Sequence, residues 1–292
     1  MPAAALRALL TRSIDYAGLF PPAGLELEPA LENQARYVRS AERWMLGAFV
    51  LPVAKFEAAV ALLASFDREF PLEISALGPK TEEAAAFPAA VASAQRALAK
   101  FTEQAEGRAR VVQLEMPLPA EDFPESLGEE TFAIFWEAPA ARAAATIDAL
   151  RGSGAGFKLR TGGVTADAFP AAAAIAEALV SAARAQVAIK FTAGLHHPVR
   201  HFHESVGTKM HGFLNVLGAG VLAAEHGWDE AQAEAMLLDE DAAAFTFDDE
   251  HFRWHDWTIA TAQIRARRRL VTSLGSCSFD EPRDDLRALG LF

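Results

Sequence analysis

Two segments decide the fold: Gly156-Phe-Lys-Leu-Arg-Thr-Gly-Gly163 and Val187-Ala-Ile-Lys-Phe-Thr-Ala-Gly194. Each is a short β-type run that carries one lysine among apolar residues and runs into glycine. The alanine-rich stretch between them, at 165–185, has the 3.6-residue periodicity of a helix that covers a sheet. A strand, a helix and a strand in this order predict a βαβ unit with two parallel strands.

The same alternation extends in both directions along the 292 residues. Strands are predicted at 14–20, 44–52, 72–77, 110–117, 131–137, 156–160, 187–192 and 244–247. Eight strands separated by helices predict an α/β fold, a closed (β/α)8 barrel that forms a single domain over residues 1–292. The segment 196–243 is longer than an ordinary connection, which predicts an elaborated rim with a helix at 210–226.

Composition and motifs exclude several function classes. A formal charge of -12 argues against a nucleic-acid or anionic-membrane partner. The chain has neither a G-x-G-x-x-G after an early strand nor a P-loop motif. A single cysteine excludes an internal disulfide framework. The N-terminus has no secretory pattern, and the longest apolar stretch, 212–224, is too short and glycine-rich for a membrane span, so we expect a cytoplasmic protein.

Polar side chains gather where the predicted strands end, which is where barrel enzymes build their sites. Alternation places Lys158 and Arg160 on one strand face and Lys190 and Thr192 on one face of the next. On earlier strands, Gln113 and Glu115 share a face, and Glu137 ends its strand. These charges are expected to form either buried ion pairs or a site for a small anion.

The two lysine segments resemble the paired-lysine strands of deoxyribose-phosphate aldolases and related class I aldolase barrels, over about forty residues. The resemblance implies that Lys158 forms a Schiff base with a carbonyl substrate and that Lys190 is the second cation, whose repulsion favours loss of a proton from Lys158. Two departures stand out. Arg160 occupies the place of a small hydroxyl-bearing residue, and the catalytic aspartate has no clear counterpart; Glu115 can replace it only if it lies near Lys158.

Five of the eight histidines follow the second lysine strand, in Gly194-Leu-His-His-Pro-Val-Arg-His-Phe-His203 and at His211. His196 and His197 are nearest the strand end and are candidates for catalysis or substrate binding, as is Arg200 for binding. The spacing matches neither H-E-x-x-H nor a Cys/His zinc pattern, so no metal ligand and no cofactor are assigned. A divalent metal held in this region stays an alternative.

Three further groups depend on where their segments lie. His211 and Asn215 are four residues apart and would share one face of the predicted 210–226 helix, where they either reach the barrel mouth or satisfy each other and the backbone. Asp15 and Tyr16 enter the site only if their segment is the first strand. Cys277 follows a run of small residues and is either an inert buried thiol or a reactive one.

The leading hypothesis is a barrel enzyme that acts on a small anionic, carbonyl-containing metabolite by lyase or isomerase chemistry. The expected catalytic residues are Lys158, Lys190, His197 and Glu115, and the expected substrate-binding residues are Arg160, Thr192, His196, Arg200, Glu137, His211 and Asn215. A metal-dependent hydrolase or isomerase that uses the 196–211 histidines is the first alternative. The second is a non-catalytic anion-binding barrel whose lysines are locked in ion pairs. Exposed apolar helix faces leave homo-oligomerisation open.

Overall fold

A computed structural model describes residues 2–119 and 132–292. The strands are β1 (Ile14–Tyr16), β2 (Leu46–Pro52), β3 (Leu72–Leu77), β4 (Ala109–Pro117), β5 (Ala133–Glu137), β6 (Gly156–Arg160), β7 (Ile189–Thr192), β8 (His201–His203), β9 (Thr208–Met210), β10 (Phe245–Phe247), β11 (His251–Trp254), β12 (Trp257–Ala260) and β13 (Val271–Ser276). Eight of them, β1 to β7 and β13, pair in parallel and close into a barrel. The predicted (β/α)8 fold is therefore confirmed.

Helices surround the barrel. They are α1 (Ala4–Leu10), α2 (Leu27–Tyr37), α3 (Phe56–Val60), α4 (Phe87–Gln104), α5 (Ala143–Ala149), α6 (Ala172–Ala185), α7 (Phe213–His226), α8 (Glu230–Leu238), α9 (Thr261–Arg267) and α10 (Asp280–Ala288). In α4 the buried residues Val91, Ala94, Leu98 and Phe101 recur at helical spacing, so one stripe faces the sheet. By length and composition alone, Ala166–Ala185 passes as a membrane span; a core helix passes the same test, and α6 packs against α5, α7 and α8.

The predicted eighth strand is wrong. Residues 245–247 form β10, which pairs with β11 in a three-stranded antiparallel sheet outside the barrel. The eighth barrel strand is β13, which lies between β7 and β1. A buried strand is predicted from a run of large apolar side chains. The buried residues Ser273, Gly275 and Ser276 interrupt any such run in β13. The predicted 131–137 strand begins at Thr131, which lies outside the described residues; Phe132 precedes the strand, and the rest is β5.

The long connection after β7 forms additional structure, as the sequence predicts. The antiparallel pair β8 and β9 comes first, and α7 and α8 follow. The predicted 210–226 helix starts three residues late, because Met210 ends β9 and α7 begins at Phe213. The additional structure also continues through β12 to Ala260, beyond the predicted limit of 243.

The barrel interior is charged on its lysine-bearing strands because side chains alternate across the sheet. Phe157 and Leu159 of β6 and Ile189 and Phe191 of β7 are fully buried and belong to the hydrophobic core. The residues between them, including Lys158 and Lys190, occupy the opposite face of the sheet. The fold thereby brings the lysine face of β6 and β7 towards the carboxylates of β1 and β4.

Candidate active site

Lys190 is the centre of a buried charge network. Its Nζ lies 2.8 Å from Asp15 Oδ2 on β1, 2.5 Å from Glu115 Oε1 and 2.5 Å from Gln113 Oε1, both on β4. The residue is only 1% exposed. Burial opposes the charged form, but Asp15 and Glu115 outweigh it and raise the pKa of Lys190 above its ordinary value. Lys190 is therefore a fixed cation rather than a neutral nucleophile.

Lys158 joins the same network from the neighbouring strand, since Lys158 and Lys190 are register partners on β6 and β7. Its Nζ lies 2.6 Å from Glu115 Oε2 and 2.8 Å from Glu137 Oε2. Each oxygen of Glu115 thus contacts a different lysine. Burial alone would raise the pKa of Glu115, but the two ammonium groups outweigh it and hold that pKa far below its ordinary value.

Asp15 completes the network from the first strand, which the sequence analysis left conditional. Its Oδ1 accepts a hydrogen bond from the backbone N–H of Ala48 at 2.7 Å, and its Oδ2 accepts one from Ser273 at 2.7 Å. A Cβ on Gly47 would fall 2.1 Å from Asp15 Oδ1, so a side chain at position 47 would displace this carboxylate. The neighbouring Tyr16 instead packs against Tyr37 and does not line the cavity described next.

A cavity of about 1150 Å³ opens at the carboxyl ends of the barrel strands. Five of the residues predicted for the site line it together: Lys158, Arg160, Glu137, Thr192 and His196. Lys190 and Glu115 lie beneath them, buried and outside the described lining. Lys158 therefore belongs both to the buried network and to the cavity wall.

The glycines that end both lysine segments allow two loops to pack closely at the cavity wall. A Cβ on Gly194 would lie 2.9 Å from the Cα of Gly162, and Gly194 has a positive φ of 75°. Thr161 fixes the contact, because its hydroxyl donates to the carbonyl of Ala193 at 2.7 Å. Glycine at these positions is thus explained by close approach between the loops that follow β6 and β7.

On another part of the wall, His196 lies beside Cys277 and Glu281. Its Nδ1 is 3.7 Å from Cys277 Sγ and 3.4 Å from Glu281 Oε2. Burial would lower the pKa of His196, but these two neighbours outweigh it and raise the pKa to about 9. Cys277 also lines the cavity, a role that the sequence left undecided because the preceding strand β13 escaped prediction.

Four predicted site residues lie outside the described cavity lining. His197 contacts Asp285, and the Arg200 side chain lies near His211 and Glu240. Asn215 accepts a hydrogen bond from the Arg200 backbone and donates to the carbonyls of Met236 and Asp239. The imidazole of His211 donates to the carbonyl of Pro170 at 2.8 Å. The shared helical face predicted for His211 and Asn215 is wrong, since His211 precedes α7.

The buried network predicts a specific pH dependence. The folded-state pKa of Glu115 is depressed, so its contribution to stability is present above the ordinary glutamate value of 4.5 and is lost as the pH falls below it. The raised pKa of Lys190 keeps the lysine contribution present below 10.5. We expect the difference in free energy of unfolding between wild type and Glu115→Gln to be constant near neutral pH and to shrink below about pH 4.5. Urea titrations at a series of pH values measure it, and a pH-independent difference would contradict the network's charge state.

Comparison of the chain with protein-family models, with curated proteins and with solved structures gave no match in any of the three.

Proposed function

We propose that this protein is an imine-forming barrel enzyme that performs lyase or isomerase chemistry on a small anionic aldehyde or ketone, with Lys158 as the nucleophile. One observation carries the proposal. Lys158 is the lysine of the buried network that also lines the cavity, which would let its amine meet a bound carbonyl group. Amines held beside a second cation in a desolvated site are the usual Schiff-base nucleophiles.

Lys158 has to lose a proton before it attacks. Glu137 lies 2.8 Å from its Nζ and also lines the cavity, which makes this carboxylate the proton acceptor. Lys190 keeps its own proton because Asp15 and Glu115 raise its pKa. The aldolase barrels have a catalytic aspartate with no clear counterpart in this chain, and Glu115 can replace it only if it lies near Lys158. Glu115 lies 2.6 Å from Lys158 and therefore meets this condition.

The reaction then follows from the chemistry of imines. The neutral amine of Lys158 attacks the carbonyl carbon, and the hydroxyl group of the adduct takes a proton back from Glu137 and leaves as water, which gives an iminium ion. In a retro-aldol cleavage, the bond between the α and β carbons breaks, its electron pair moves to the iminium nitrogen and the β-hydroxyl proton passes to a carboxylate. Protonation of the α carbon and addition of water release the second carbonyl product and regenerate the lysine. In an isomerisation, the α carbon of the iminium ion loses a proton instead. The resulting enamine is then protonated at a different carbon.

Arg160 supports an anionic substrate. It lies two residues beyond Lys158 on the same strand face, so their Cα atoms are about 6.6 Å apart. Its side chain is 56% exposed, and its Nε is 3.5 Å from Glu137. A carboxylate or phosphate group a few bonds away from the reacting carbonyl would fit this spacing and pair with the guanidinium.

We expect Arg160→Gln to raise the KM for an anionic carbonyl substrate by about fivefold, because the lost ion pair is partly exposed to solvent. The KM for a neutral analogue of similar size should change little. Arg151→Gln is the matched control, since Arg151 is similarly exposed but pairs with Asp148 away from the cavity. Equal effects on neutral and anionic substrates would rule out anion recognition by Arg160.

Borohydride trapping tests the proposal as a whole. The purified protein is incubated with a panel of small aldehydes and ketones, with and without carboxylate or phosphate groups, and is reduced with sodium borohydride. Intact mass spectrometry should show one added mass equal to the carbonyl compound less one oxygen. The absence of any adduct across the panel counts against imine chemistry.

The alternative of a non-catalytic anion-binding barrel shares part of this geometry. Both lysines are held in ion pairs with Glu115 and Glu137, as that hypothesis expects. It also expects no open pocket at the lysines, whereas Lys158 lines the cavity. A protein that binds anions with a measurable Kd, yet gives no trapped adduct and no turnover, would favour this alternative.

A further inference from the structure

Three histidines outside the described cavity lining form a cluster at the barrel rim. His197, His201 and His203 each present a ring nitrogen, and these three atoms lie within 4.8 Å of one another. The rings are in mutual contact, with centroid separations of 4.4 Å between His197 and His201, 5.5 Å between His197 and His203 and 5.7 Å between His201 and His203. Each side chain is partly buried.

The local fold positions the cluster. His201 and His203 lie on one face of β8, and Phe202 between them lies on the other face and is 57% exposed. Strand β9 holds this strand in place by antiparallel pairing. His197 lies in the loop after β7, where its carbonyl accepts a hydrogen bond from the backbone of Phe213 at the start of α7. Two separate segments therefore deliver the three imidazoles to one point.

The Nδ1 atom of every ring in the cluster already has a partner. Asp285 on α10 lies 2.6 Å from Nδ1 of His197. The carbonyl of Val199 lies 3.1 Å from Nδ1 of His201, and the hydroxyl of Ser205 lies 2.8 Å from Nδ1 of His203. Carboxylate, carbonyl and hydroxyl partners on one ring nitrogen are the usual outer contacts of metal-bound histidines, since they orient the ring and leave the other nitrogen free.

We propose that His197, His201 and His203 bind one Zn²⁺ ion through their Nε2 atoms. Three imidazoles without a thiolate suit a borderline divalent metal, whereas Mg²⁺ and Ca²⁺ prefer oxygen ligands. Tetrahedral zinc with bonds of about 2.0–2.1 Å needs ligand nitrogens about 3.3 Å apart, so ring nitrogens that lie within 4.8 Å of one another have to approach by up to about 1.5 Å. The fourth position is open to solvent because the cluster is partly exposed.

The site links the rim to the cavity wall. Asp285 orients His197 from α10, and Glu281, one helical turn earlier on α10, contacts His196 in the cavity. A bound ion would therefore join the β8 strand, the loop after β7 and α10 into one unit. The inference is independent of the imine chemistry, because no residue of the lysine network takes part in it.

Zinc binding to the full chain, purified without a histidine tag and stripped with EDTA, tests the proposal. After equilibrium dialysis against micromolar ZnCl2, elemental analysis should find one zinc per wild-type chain and less than a tenth of that in His201→Ala/His203→Ala. Co²⁺ loading should give the visible absorption bands of a four- or five-coordinate nitrogen site in the wild type alone. His226→Ala/His255→Ala, which removes two histidines outside the cluster, should still bind one zinc.

Circular dichroism establishes that the variants are folded. If the double alanine variant is not, His203→Gln, which keeps a polar side chain of similar reach, replaces it and should weaken zinc binding at least tenfold. A wild-type protein that retains no zinc overturns the proposal. So does undiminished zinc binding in a folded cluster variant.

Discussion

Replacement of Lys158 with methionine is expected to slow carbonyl chemistry by at least about a thousandfold, because the variant lacks the amine that forms the imine. An assay that needs no knowledge of the natural reaction is the exchange of α-hydrogens in D2O, followed by proton NMR. An iminium ion acidifies the α carbon, so a carbonyl compound that gives a trapped adduct should exchange its α-hydrogens quickly with wild type. With Lys158→Met, exchange should fall to the level of the uncatalysed reaction.

The variant is expected to remain folded. Without Lys158, Glu115 keeps its ion pair with Lys190, and Glu137 keeps its contact with Arg160. Lys100→Met is the matched control, since Lys100 lies exposed on α4 and away from the cavity. A folded Lys158→Met protein that retains a tenth or more of the wild-type exchange rate would contradict a nucleophilic role for this lysine.

Replacement of Lys190 with methionine is expected to lower the free energy of unfolding by about 3–5 kcal/mol, the usual cost of removing one partner from a buried ion pair. Asp15 is 0% exposed and would lose its only cation within hydrogen-bond distance among the described residues. Glu115 would also lose the lysine at its Oε1. Urea denaturation at neutral pH measures the change, with Lys55→Met on the surface as the control.

A second substitution tests whether the stranded carboxylate is the cause. Asp15→Asn removes the uncompensated charge, so the Asp15→Asn/Lys190→Met protein should be more stable than Lys190→Met alone. A loss below about 1 kcal/mol in Lys190→Met, or no recovery in the double variant, would mean that the buried pairs do not act as the distances imply.

The sequence revealed the barrel and the inward lysines because both depend on periodicity. The βαβ unit around Lys158 and Lys190 has clear strand and helix periods, and a period of two places each lysine opposite its apolar neighbours. The same alternation placed Gln113 and Glu115 together on one face of their strand. Strand β13 was missed because its inward residues are small, so Ser273 was missed with it and the role of the following Cys277 stayed undecided.

The directions of loop side chains could not be predicted in this way, because loops have no regular period. His196 and His197 are neighbours in sequence, yet His196 lines the cavity and His197 belongs to the rim cluster. Their directions are set by partners distant in sequence, Cys277 and Glu281 for His196 and Asp285 for His197. Likewise, Asp15 could be assigned only once the closure of β1 against β2 and β13 was known. Spacing alone cannot supply contacts between segments so far apart in the chain.

The position of the trapped carbonyl tests the central claim most directly. Wild-type protein is reduced with borohydride in the presence of a compound that forms an adduct, digested with protease and sequenced by tandem mass spectrometry. The proposed function predicts that the added mass lies on Lys158 and that prior occupation of the cavity by an unreactive anion slows its appearance. Modification of Lys190, of surface lysines such as Lys100, or of many lysines at once would contradict it.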